Sequence, residues 1–129
     1  MNTATFNTLV TTLGLTAAEI SRRLDVNLRT VQRWLSGESP VPPFAAEWIG
    51  ELGGWCSTLV DELVSAADDA LEDGEATFLL TRHQTQESLD RAGFSGVPVS
   101  VHSAAVGMAA IEMAAAGIEP VVRYSPVEP

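Results

Sequence analysis

Apolar residues in the first part of the chain recur at helical spacing in short, separately capped runs. Phe6, Leu9, Val10 and Leu13 predict a helix over Thr3–Leu13 closed by Gly14. Thr16 is a good N-cap and Glu19, three residues on, completes a capping box, so a second helix starts at Ala17. Along it Ala17, Ile20, Ser21 and Leu24 share one side, while Glu19, Arg22 and Arg23 fall mostly on the other. Asp25-Val26-Asn27 then supplies a turn and a new N-cap. After it Val31, Trp34 and Leu35 form an apolar stripe with Leu28 at its margin, and Arg29, Thr30, Gln32 and Arg33 are left off the stripe. Gly37 ends that helix.

Pro40, Pro42 and Pro43 mark a break, and a new helix is expected from Pro43 or Phe44, with Phe44, Trp48, Ile49 and Leu52 inward. Gly53-Gly54 offers a hinge or kink, after which Trp55, Leu59, Leu63, Val64 and Leu71 continue the pattern to about Glu72. The pattern is compatible with one bent helix or with two. The remainder alternates in type: an Asp73-Gly74 turn, a short strand over Ala76–Arg82, and a polar helix from Gln84 to Ala92 ending at Gly93. Val97–Val101 reads either as a second short strand or as an extended lead-in. A helix over Ser103–Ala116 closed by Gly117, a final strand over Pro120–Tyr124 and a Pro-containing tail complete the chain. The expected fold is mainly α, with a helical bundle over residues 1–52 followed by a small α/β unit over residues 53–129.

The stretch Thr16–Gly37, TAAEISRRLDVNLRTVQRWLSG, resembles the Cro and lambda-repressor type helix-turn-helix, whose common form runs LTxxELAxxLGVSxRTVxRWExG. Leu15, Thr16, Glu19, Leu24, Val26, Arg29, Thr30, Val31, Arg33, Trp34 and Gly37 match it, and Ile20, Ser21 and Asn27 match conservatively. The chain departs at Asp25, where Gly is usual, at Ala17, where Gln often touches a phosphate, and at Leu35, where Glu is common. The resemblance implies that the second helix of the motif enters the DNA major groove. Leu28, Arg29 and Arg33 would then face bases, with Asn27 and Gln32 at the edge of the contact. Arg suits a bidentate contact with guanine, and Leu28 either packs on a thymine methyl or extends the core stripe. Thr16, Arg22, Thr30 and Ser36 would meet phosphates, which fix register without reading sequence. Arg22 and Arg23 are either phosphate contacts or a solvated helix face.

Charge opposes this reading until it is sorted by position. The chain carries 17 acidic and 7 basic residues, a formal charge of −10, which repels nucleic acid at long range. Residues 1–52 hold four Arg against five acids, whereas residues 53–129 hold three Arg against twelve. The acidity is therefore in the second part. Four clustered Arg imply a shallower salt dependence than that of strongly basic DNA binders.

The helix expected from Ser103 is rich in Ala and Gly, which permits close packing on the short strands or across a two-fold axis. A dimer is favoured, because one recognition helix reads few base pairs and two of them about 34 Å apart read a palindrome. A strand of this unit pairing with its counterpart would also hide a sheet edge. The whole layout, a helix-turn-helix followed by a small α/β dimerisation unit, is similar to the anti-CRISPR-associated (Aca-type) regulators and related small bacterial and phage proteins. That resemblance implies a homodimeric repressor of its own operon that binds an inverted repeat in double-stranded DNA. It leaves RNA binding open.

Other classes find less support. The chemistry-bearing candidates are His83, His102, Cys56 and the acidic run Asp68, Asp69, Glu72 and Asp73. No HExxH, paired CxxC, GxSxG or glycine-rich phosphate loop occurs, so no catalytic residue, metal or cofactor is expected. His102 fits the N-terminal end of a helix, and a lone Cys56 in an apolar run reads as a small buried hydrophobe. An interaction protein is the main alternative: an antitoxin whose acidic second part neutralises a basic toxin. No secretory or twin-Arg signal is visible, and Ala104–Ile118 is too short and is interrupted by Glu112, so no membrane span is expected and a cytoplasmic location is.

Overall fold

The computed structural model describes residues 1–125. They form α1 (Thr3–Thr12), α2 (Ala17–Leu24), α3 (Leu28–Ser36), α4 (Pro43–Glu72), β1 (Thr77–Arg82), α5 (Gln86–Arg91), α6 (Val99–Ala115) and β2 (Glu119–Tyr124). The fold is mainly α with a small α/β unit, as the pattern predicts, and its two strands run parallel. The Pro-containing tail lies, from residue 126 onward, outside the described residues. Two compact units divide between Gly54 and Trp55, inside α4.

In the first unit each short helix is started by a side chain. Asn2 Oδ1 accepts from Thr5 N at 2.7 Å, Thr16 Oγ1 from Glu19 N at 3.2 Å, and Asn27 Oδ1 from Arg29 N at 2.9 Å. These satisfy backbone donors that a helix start leaves without partners. Phe6, Ile20, Val31 and Ile49 are fully buried, each contributing about 1.5–3 kcal/mol through removal from water. Trp34 meets Phe6 and Phe44 edge-on, with ring centroids 6.4 and 5.9 Å apart. Asn7 Nδ2 donates to Leu35 O at 2.8 Å, fixing α1 against the last turn of α3.

One expectation for α4 is corrected, and one left open is decided. Phe44 is half exposed instead of inward, because it sits in the first turn and touches Trp34 only by its ring; Ala45, Ile49 and Leu52 take the buried side. Leu71 is exposed as well. Gly53-Gly54 neither breaks nor divides the helix, which runs unbroken for 30 residues. Each mid-helix Gly costs about 1 kcal/mol relative to Ala. The buried stripe Ala45, Ile49, Leu52, Cys56, Val60 and Ala67 continues across the pair at spacings of three, four and seven, and its burial offsets that cost.

In the second unit β1 and β2 run parallel, from Thr77 opposite Glu119 to Arg82 opposite Tyr124. α6 packs on both strands and buries Val101, Ala105, Ala109 and Met113. Part of the smooth Ala surface is thus used within the chain. α6 begins at Val99, four residues before the expected start, and Val97–Val101 is not a strand. Pro98 gives α6 no side-chain cap; instead Gln86 Oε1 accepts from Val99 N at 2.9 Å, while Gln86 Nε2 donates to Val97 O at 2.7 Å. α5 starts two residues after the expected Gln84, where Thr85 Oγ1 accepts from Ser88 N at 3.1 Å.

Candidate nucleic-acid interface

The turn between α2 and α3 is held by three contacts to two residues. Asp25 N and Val26 N both donate to Ser21 O, and Ser21 Oγ donates to Val26 O at 2.6 Å. Asp25 itself adopts the left-handed conformation, φ 53° and ψ 49°, the only described non-glycine residue with positive φ. The chain thus makes with Asp the turn for which Gly is usual in the resembling family. Only the Thr16 half of the capping box forms. Glu19 Oε1 is buried without a hydrogen-bond partner, and its Oε2 lies 3.9 Å from Arg22 Nη2.

Helical geometry divides α3 cleanly. At about 100° per residue, Leu28, Arg29, Gln32, Arg33 and Ser36 lie within an arc of about 140°, and Val31 and Trp34 lie opposite. Val31 and Trp34 are buried at 0% and 4% exposure, whereas all five residues of the arc are exposed. Leu28, at 41% exposure, is not a core residue. Arg33 Nε lies 3.5 Å from Glu38 Oε2, with both side chains more than half exposed. Such a pair is worth about 0–1 kcal/mol and exchanges readily for a stronger anion. Gly37, at φ 83°, turns the chain away after Ser36.

The remaining sequence-predicted positions are partly engaged. Asn27 uses Oδ1 as the α3 cap, leaving its amide NH₂ for an outside acceptor. Ser36 Oγ donates to Arg33 O at 3.2 Å and accepts from Glu38 N at 3.3 Å, so a phosphate would have to compete for it. Thr16 Oγ1 accepts from Glu19 N and keeps its own proton to donate. Arg22 and Arg23 are exposed on α2, and Thr30 is half-buried.

The second unit holds a grouping that sequence separation concealed. His83, just after β1, and His102, in the first turn of α6, place their rings 5.2 Å apart, and both are buried. Phe94 and Trp55 pack on His102 at centroid distances of 4.9 and 6.2 Å. His83 Nδ1 is 2.8 Å from Ser88 Oγ, which donates to Ser125 Oγ at 3.1 Å; His102 Nδ1 has no partner. Burial, and then repulsion from His83, hold the His102 pKa below the ordinary histidine value. The usable signal was topological: α6 packs on β1, which brings its first turn toward the residue that ends the strand. Cys56 is buried and its thiol is pushed up by that burial. Asp68, Asp69, Glu72 and Asp73 are exposed, and among the described residues no three His, Cys, Asp or Glu side chains are grouped to hold a metal. No helix of the described residues is long and apolar enough to cross a membrane. The chain matches no protein-family model and no curated protein.

Proposed function

We propose that the chain is a sequence-specific DNA-binding transcriptional regulator, a homodimeric repressor of its own operon that binds an inverted repeat and acts in the cytoplasm. One observation carries the reading: Arg29 and Arg33 are exposed, four residues apart, on the face of α3 opposite its buried residues Val31 and Trp34. Two guanidinium groups so spaced, flanked by Leu28 and Gln32, supply donors for guanine edges and an apolar contact for a thymine methyl. Arg22, Arg23, Thr16 and Thr30 supply phosphate contacts on the preceding helix and the helix start. The test is selection of bound fragments from a random double-stranded DNA pool. A palindromic product with half-sites one helical turn apart supports the reading, and enrichment of no sequence overturns it.

The acidity of residues 53–129, three Arg against twelve acids, favours a second reading as an antitoxin that also represses its operon. Stoichiometric co-purification with a basic protein encoded beside it would select that reading.

A further inference from the structure

We propose that the outer edge of β1 is where two copies of the chain join, pairing their β1 strands antiparallel about Leu79 to make one four-stranded sheet. The inference rests on the homodimeric reading above and gives it a location and a register.

The sheet is incomplete as it stands. It has two parallel strands, and among the described residues neither outer edge is paired. Parallel strands are ordinarily covered on both faces, and two-stranded sheets are marginal in water. The two edges differ in what they can offer. Glu119 N donates to Ala76 O and Ser125 N to Arg82 O, each at 2.9 Å. With the observed register, Phe78, Leu80 and Arg82 turn their peptide groups toward β2, while Thr77, Leu79 and Thr81 turn theirs outward. All three outward residues are exposed, Leu79 at 53%. On β2 the outward residues are Pro120, Val122 and Tyr124. Pro120 has no N–H to give, the device by which edge strands are closed to pairing. Val122 and Tyr124 are exposed on that edge, but the ladder they offer is shortened by the missing donor at Pro120.

The β1 segment is also complementary to itself. A two-fold axis at Leu79 sets Thr77 opposite the partner's Thr81, Phe78 opposite the partner's Leu80, and Leu79 opposite the partner's Leu79. Each is a favourable cross-strand pair, hydroxyl with hydroxyl and apolar with apolar. Charge does not oppose the same place. In a strongly acidic half of the chain the strands carry Arg82 and Arg123 against Glu119 alone, so the acidity of that half is not concentrated where two copies would meet.

Cross-linking of the full chain without DNA tests edge and register together, in a Cys56→Ala background. Leu79→Cys should oxidise to a covalent dimer, since directly opposed Cα atoms stand about 5.5 Å apart, within disulfide reach. Thr77→Cys should not link to itself, because its counterpart lies four residues along, about 13 Å away. Val122→Cys should not link either. Leu79→Lys should shift the sedimenting species from dimer to monomer with the helical circular dichroism unchanged. Linking at Val122→Cys in preference to Leu79→Cys, equal linking at all three positions, or a monomeric wild-type chain at tens of micromolar overturns the proposal. Because no DNA is present, a dimer that selects no DNA sequence refutes the regulator and leaves the interface standing. A monomer that selects a single half-site does the reverse.

Discussion

Replacing Asp25 tests the turn that sets the angle of α3 against α2. Asp25 is left-handed at φ 53°, where an L residue pays about 1–2 kcal/mol for the approach of Cβ to the following carbonyl. Asp recovers part of this through its short polar side chain, and Gly returns about 0.5–1 kcal/mol to the unfolded chain as entropy. The net backbone gain of Asp25→Gly is then at most about 0.5–1 kcal/mol. A second gain is electrostatic, because Asp25 follows the C-terminus of α2, where a negative charge is unfavourable by about 0.3–1 kcal/mol before screening. Asp25→Asn tolerates the same backbone conformation and removes only the charge, so it separates the two terms. The expected order of stability is Gly above Asn above Asp, with Gly raising the melting temperature of the first unit by about 4–8 °C for each kcal/mol gained. Urea and thermal unfolding followed by Trp34 fluorescence in a Trp48→Phe, Trp55→Phe background give the comparison. An Asn variant as stable as the Gly variant would refute the backbone argument, and a wild type more stable than both would refute the whole reasoning.

The Arg33–Glu38 pair must be surrendered when Arg33 meets DNA, so Glu38→Gln should tighten operator binding by up to about 5-fold at low salt, given about 0–1 kcal/mol for an exposed pair; fluorescence anisotropy at two salt concentrations checks this, and weaker binding contradicts it. Because the folded pKa of His102 is lowered, the unfolded chain binds more protons below about pH 6.5. Stability of the second unit is therefore full above that pH, falls as pH drops through it, and levels off below the folded pKa. Urea midpoints at pH 7.5 and 5.0 measure the fall, and His102→Gln should reduce it; an unchanged slope would place the pH dependence elsewhere.

What the sequence revealed was local, and what it concealed was long-range. Thr16, Asn27 and Gly37 act within three residues of themselves, so the ends of α2 and α3 were legible, as was β1 from its TFLLTR run. The start of α6 was not, because β-branched Val97, Val99 and Val101 look like a strand and the group that satisfies the helix start is Gln86, thirteen residues away. Gly53-Gly54 left one helix or two open for a related reason: propensity favours a break there, and burial of Leu52 and Cys56 on either side favours continuity. Of the candidate site, the division of α3 into Val31 and Trp34 inside and Arg29 and Arg33 outside followed from periodicity alone. The ion pair to Glu38 and the use of Ser36 by the backbone depend on how the chain turns after Gly37.

The central claim is that Arg29 and Arg33 read bases, and binding of Arg29→Ala and Arg33→Ala to the selected operator and to unrelated DNA tests it most directly. Each substitution should weaken operator binding by about 1–3 kcal/mol, roughly 5- to 150-fold, and relax preference at one base pair while leaving binding to unrelated DNA nearly unchanged. Equal loss on both DNAs, or no loss on either, would contradict it.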